Sequence, residues 1–187
     1  MLAEKINVKI NSKQVRLEIL KFNDLDRPKL KTIFKSWLSL SGLLKKVGSR
    51  GVNIPEGLTE SLFCLEMNAV RVIKAYNSKG SFDTLSLGSK KRQQVKATSS
   101  EGPTSFGPNS FWDENELYFM DFVGKDGKVD GSYRIYRILD KYVYLSKVNK
   151  NERLSDQQAQ KRRPRMDLRK EVVLKYKLKP IKEGSIL

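Results

Sequence analysis

The chain has 187 residues, with 37 Lys and Arg against 21 Asp and Glu, for a formal net charge of +16. It has no histidine and one cysteine, Cys64, which excludes histidine-based nucleases, Ser-His-Asp hydrolases, His-ligated zinc sites and an internal disulfide. The charge favours a polyanionic partner, nucleic acid first, although structural and ribosomal proteins share this balance. One domain is expected over residues 1–187, with its core at about 24–148 and an N-terminal hairpin and a basic C-terminal segment as additions. No stretch reaches the roughly 18 apolar residues of a membrane span, and the first residues resemble neither a signal peptide nor an anchor. A reduced, cytoplasmic setting is the simplest reading of the lone cysteine.

Ile6, Val8 and Ile10, then Val15, Leu17 and Ile19, alternate around Asn11-Ser12-Lys13, which reads as a hairpin, as one strand and the start of a second, or as an edge structure added to the core. Residues 24–47 read as a helix, with Asp24 or Asp26 as its cap and Pro28 in its first turn. Leu30, Ile33, Phe34, Trp37, Leu38, Leu40 and Leu44 make a broad apolar face. That periodicity assigns Trp37 to the core in preference to base stacking. A loop over 48–57 precedes a second predicted helix, Leu58 to Tyr76, apolar nearly all round and therefore buried.

Two acids, Glu60 and Glu66, interrupt that second helix. On a buried helix each must be paired, line a cavity or meet a metal. Six residues separate them, which leaves them about 120° apart around the axis, so at most one reaches a shared site. Glu60 falls in the predicted first turn, where compensation of the helix dipole is the plain alternative. For Glu66 the plain alternative is a structural ion pair.

Residues 80–98 carry the densest chemistry. Ser81 to Leu87 and Gln93 to Thr98 read as strands, joined by the turn Gly88-Ser89-Lys90. Residues two apart share a face, so Gln94 and Lys96 point opposite to Val95 and Ala97. Pairing around the turn brings Asp83 towards them. A carboxylate, an amide oxygen and an ammonium then meet, as binding a divalent cation beside a phosphate requires. The alternative is a surface salt bridge between Asp83 and Lys96 across the hairpin.

Ser99 to Asn115 is a long polar loop that either serves function or packs Phe106, Phe111 and Trp112 on the core. Strands are predicted over 117–123, 132–139, 142–148 and 172–178, and a short helix begins at Ser155. Asp126, Gly127 and Asp130 lack the spacing of a calcium loop and read as a hairpin turn. The basic run Lys161 to Lys170 is either a phosphate-contacting arm or a solvated segment, and composition leaves the two even.

This order of elements resembles the PD-(D/E)XK nuclease fold, an α/β (α+β) architecture with a central mixed sheet flanked by helices. Glutamine stands here in place of the usual second acid. More closely, Gly80-Ser81-Phe82-Asp83, Gln94-Val95-Lys96-Ala97-Thr98, Thr104-Ser105-Phe106-Gly107-Pro108 and Trp112-Asp113 followed by Leu117-Tyr118-Phe119 resemble a branch of type II restriction endonucleases. Asn53-Ile54-Pro55-Glu56 through Thr59-Glu60, with Cys64, fits the same pattern. Residues 1–50 carry no transferable motif. The small size is similar to the catalytic small subunits of heterodimeric type IIS restriction enzymes, whose large subunit recognises DNA and nicks one strand.

The resemblance implies Mg²⁺-dependent hydrolysis of a DNA phosphodiester. Asp83 would bind the metal, with the Gln94 amide oxygen and the Val95 carbonyl beside it. Lys96 would orient or help deprotonate the attacking water and offset phosphate charge. Glu60 would complete the metal shell, with Glu66 as second choice. The implied partners are double-stranded DNA and a larger DNA-recognition subunit, with no membrane. A homodimeric type II enzyme of the same fold is the nearest alternative. A non-catalytic basic nucleic-acid-binding module and an assembly subunit explain the charge but not the convergence of Asp83, Gln94 and Lys96.

Overall fold

The structure, a computed structural model, describes residues 1–10, 12–76, 82–106, 115–124, 126–144, 146–148 and 151–187. Strands β1 (Leu2–Ile10) and β2 (Lys13–Lys21) form the expected hairpin, in register from Leu2 opposite Lys21 to Ile10 opposite Lys13. Ser12 takes the left-handed φ of 66° that so tight a turn demands, while Asn11 lies outside the described residues. A 3₁₀ turn, Asp24–Asp26, then leads into α1 (Arg27–Lys46). Asn23 caps that turn, while Asp26, one of the two expected caps, stands at the N-cap of α1 without a side-chain capping bond there. The Asn23 side chain accepts from the Leu25 N–H, and Asp26 reaches back to the Asn23 N–H.

Helix α1 buries Leu30, Phe34 and Trp37, and the Trp37 indole N–H donates to the Val52 carbonyl at 3.0 Å. Ile33 and Leu40, expected on the inner face, are exposed and share an outer stripe with Leu43 and Val47. The apolar set of this helix is wider than the surface it packs on.

The predicted helix from Leu58 to Tyr76 is two elements. α2 (Glu56–Met67) ends at Asn68, which adopts a left-handed φ of 49°, and the chain returns as β3 (Ala69–Tyr76). Asparagine tolerates that conformation at a helix end, and Val70, Val72 and Ile73 are β-branched residues that suit a strand. A run that is apolar on every side conceals the change of period. Because α2 begins at Glu56, Glu60 lies beyond its first turn, and helix-dipole compensation does not explain it.

The remaining elements are β4 (Thr84–Ser86), β5 (Arg92–Thr98), β6 (Thr104–Ser105), β7 (Asn115–Asp121) and β8 (Ser132–Ile138), then α3 (Asp140–Tyr144), α4 (Leu154–Ala159), β9 (Arg165–Met166), a π-helical segment Arg169–Leu174 and β10 (Lys182–Ser185). The strand expected over 142–148 is α3 as far as Tyr144, and that expected over 172–178 is the end of the π-helical segment, up to Leu174, followed by a turn. The edge of β8 that either would need is taken by β10. Adjacent Val172 and Val173 are both buried, which a helix permits and an alternating strand does not.

Eight strands form one mixed sheet in the order β1-β2-β3-β4-β5-β7-β8-β10, antiparallel except for the β5–β7 pair. Helices pack on both faces. Tyr118 and Met120 of β7 meet α1 and α2 through Phe34, Leu62 and Phe63. Leu117 and Phe119 of the same strand meet α3, α4 and the π-helical segment through Val143, Leu154 and Val172. The N-terminal hairpin buries Leu17 and Ile19 fully against Val70 and Leu85. No helix among the described residues is long and apolar enough to cross a membrane.

Candidate active site

The site is a gap in the sheet. β4 is short, and its ladder with β5 contains only Thr84 opposite Gln93 and Leu85 opposite Arg92. β5 continues past that point, held on its other edge by β7 from Arg92 to Thr98. The Val95 N–H would therefore face an empty edge, and a buried unpaired N–H is costly. The Asp83 side chain takes the place of the missing strand. Its Oδ2 accepts from the Val95 N–H at 2.8 Å and from Gln94 Nε2 at 2.5 Å. The strand expected over 81–87 is confined to Thr84–Ser86. The Asp83 backbone still bridges its neighbours, its N–H donating to the Gln93 carbonyl at 3.0 Å and its carbonyl accepting from the Val72 N–H at 2.9 Å, while its side chain closes the gap beyond.

Gln94 and Lys96 share the sheet face opposite Val95, as the strand period requires. The Lys96 ammonium lies 6.0 Å from the centroid of the Phe106 ring, which is fully buried. Among the described residues Lys96 makes no ion pair, so the expected alternative of a salt bridge to Asp83 is not the arrangement seen. Burial pushes the Asp83 carboxyl up to about 6, and the nearby Glu60 and Glu56 charges push the same way. The Val95 hydrogen bond and the Lys96 charge oppose them.

Glu60 approaches from α2 and is buried. Its Oε2 accepts from Arg71 Nε at 2.6 Å. Burial raises the Glu60 carboxyl above its ordinary value, although the Arg71 hydrogen bond and charge pull it down. Arg71 is the site residue that sequence reasoning missed. Eleven residues along one continuous helix would set the two about 16 Å apart. Only the reversal at Asn68 brings them together.

Glu66 stands elsewhere. Arg27 Nη1 donates to its Oε1 at 2.7 Å, and Lys182 Nζ is 3.5 Å from its Oε2. It fastens α2 to the start of α1 and to β10. The gap thus brings together Asp83, Gln94 and Val95, with Glu60 and Lys96 close enough to act on the Asp83 charge, and leaves Glu66 out. Gly80, Ser81, Gly107, Pro108, Phe111, Trp112 and Asp113 lie outside the described residues.

The donors suit a hard divalent cation. Among the described residues no three Asp, Glu or Cys side chains gather to hold a metal, so a cation held here by Asp83 and Glu60 would also need a backbone carbonyl. The Val95 carbonyl leaves β5 on the same edge as its N–H, towards Asp83. Two carboxylates and a carbonyl, completed by water, match the way Mg²⁺ is usually held. Two acids crowded in a desolvated gap are also what such a cation would relieve. Gln94 turns its amide nitrogen to Asp83, so offering its oxygen to a cation needs a flip of the amide.

The family described as Bsp6I restriction endonuclease matches residues 22–175. The type II restriction enzyme Bsp6I of Bacillus sp. (strain RFL6) is 29% identical over 167 residues, covering 86% of this chain and 90% of that protein. No solved structure matches the chain.

Proposed function

The chain belongs to the Bsp6I restriction endonuclease family, and we propose from this and the site that it is a Mg²⁺-dependent type II deoxyribonuclease with a PD-(D/E)XK active site. The observation that carries the site assignment is Asp83, seated where β4 parts from β5, with Val95, Gln94, Glu60 and Lys96 around it. When bound, Mg²⁺ supplies Lewis-acid stabilisation of the phosphate and a more acidic water. Asp83 and Glu60 would hold it with the Val95 carbonyl and the Gln94 amide. Lys96, on its Phe106 base, orients the attacking water and offsets charge on the phosphate oxygens. Water adds to phosphorus, one ester P–O bond breaks, and the departing alkoxide takes up a proton. Arg71 keeps Glu60 aimed at the gap.

One such site cuts one strand. The second cut then falls to another chain, read here as a larger DNA-recognition subunit. A second reading, in which that chain is another copy of this one, draws on the outer stripe of α1. Ile33, Leu40, Leu43 and Val47 are exposed there at the spacing of a helix-pairing seam. The test is supercoiled-plasmid cleavage with Mg²⁺, EDTA and a range of protein concentrations, alongside sedimentation. Nicking by a monomer supports the first reading, and linearisation by a dimer the second. No Mg²⁺-dependent cleavage by the chain with its partner subunit overturns both.

A further inference from the structure

The four arginines of the basic run Lys161 to Lys170 divide into two pairs. Arg162 pairs with Glu152 at 3.0 Å, and Arg169 lies 3.3 Å from Asp121. These two are structural. Arg163 and Arg165 are exposed, and among the described residues they form no ion pair. They alternate with buried Pro164 and Met166, so their side chains leave the segment on its outer side.

The fold ties these two arginines to the active site. β6 pairs antiparallel with β9, Ser105 opposite Arg165 and Thr104 opposite Met166. The ribbon extends by one more bond, from the Phe106 N–H to the Pro164 carbonyl at 2.9 Å. Phe106 is the ring beneath the Lys96 ammonium, and β6 packs against β5. Pro164 and Phe106 thus join the two segments in one ribbon, whose inner face carries Phe106 under Lys96 and whose outer face carries Arg163 and Arg165.

We propose that Arg163 and Arg165 clamp the backbone of the bound DNA from the outer face of this ribbon, gripping phosphates away from the one being cut. The proposal rests on the nuclease reading above. Two residues along an extended segment span about 6.7 Å, and one DNA strand carries a charge every ~3.4 Å of helix axis. Each guanidinium therefore reaches its own phosphate, and its planar fork suits bidentate contact. Nothing in this arrangement reads a base, so the clamp sets affinity and register.

Binding of a fluorescent duplex in EDTA, measured against salt, tests the clamp without relying on cleavage. Arg163→Ala/Arg165→Ala should lower the slope of log affinity against log salt by ~1.8, two contacts at about 0.9 each. Arg163→Lys/Arg165→Lys should keep most of the slope. Lys29→Ala/Lys35→Ala, which removes the same charge from α1 on the other face of the sheet, should leave it nearly unchanged. An unchanged slope in the alanine pair, or an equal fall in both alanine pairs, overturns the clamp, as does failure of the wild-type chain to bind the duplex at low salt. With Mg²⁺ and saturating DNA, the alanine pair should raise KM and leave the single-turnover rate within a few-fold. A fall in that rate at unchanged KM also overturns the assignment. Cleavage by Lys96→Ala at the wild-type rate would instead strike the active-site reading and leave the salt slopes as an independent result.

Discussion

The two acids of α2 have opposite circumstances on one helix. Glu66 is held by Arg27 and Lys182 and hydrogen-bonded with Tyr133. Burial opposes its ionisation, yet these partners prevail and hold its carboxyl below the ordinary glutamate value. Glu60 pairs with Arg71, and there burial prevails and raises the carboxyl. A carboxylate rich in partners fastens elements together. One that is desolvated beside a second acid has capacity left for a ligand. Two identical side chains less than two turns apart thus ionise differently because of what surrounds them.

The largest effect should come from removing what Glu60 faces. Asp83→Ala and Lys96→Ala should each reduce DNA cleavage by about 10³-fold or more; Lys96→Ala should melt near wild type, and Asp83→Ala somewhat lower, because it strips the Val95 N–H of its partner. The check is plasmid cleavage beside thermal unfolding. Full activity in either variant would erase the distinction between the two ends of α2. Next, Glu60→Gln should lower cleavage by roughly 10²-fold. Glu66→Gln should keep cleavage and lose about 1–2 kcal/mol of stability, discounted because Arg27 and Lys182 are partly exposed. Urea unfolding and cleavage on both proteins check this pair, and the opposite assignment of losses would reverse the roles of the two acids.

Gln94→Glu sharpens the comparison by giving the Glu60 side a third carboxylate. A hard cation favours anionic oxygen, so the Mg²⁺ midpoint for cleavage should fall a few-fold. The maximal rate should stay level or drop, because added negative charge repels the phosphate and raises the pKa of bound water. Cleavage against Mg²⁺ concentration measures both, and identical midpoints would remove Gln94 from the metal shell. The smallest effect concerns pH. The folded Glu66 carboxyl titrates below its unfolded value, so its stabilisation is present above the ordinary value near 4.5 and is lost as pH falls through the folded value. The gap in melting temperature between wild type and Glu66→Gln should close on acidification, and a gap that persists in acid would mean that packing, not charge, sets it.

Local chemistry was legible where neighbours along the chain decide it. The Gly88-Ser89-Lys90 turn, the β5 face with Gln94 and Lys96, and the opposite placement of Glu60 and Glu66 all follow from backbone period alone. Composition likewise excludes histidine chemistry, since a side chain that the sequence lacks can serve no site. What tertiary structure decided is everything that depends on which edge or face remains free. The break at Asn68, which turns Arg71 onto Glu60, was hidden because an apolar run satisfies helix and strand patterns equally. The short β4, with Asp83 filling the missing ladder position, depends on where two strands diverge. The tie from Phe106 to Pro164 joins segments far apart in sequence, so the basic run had no visible relation to Lys96. Periodicity records which side of an element is apolar, and only packing determines what meets it.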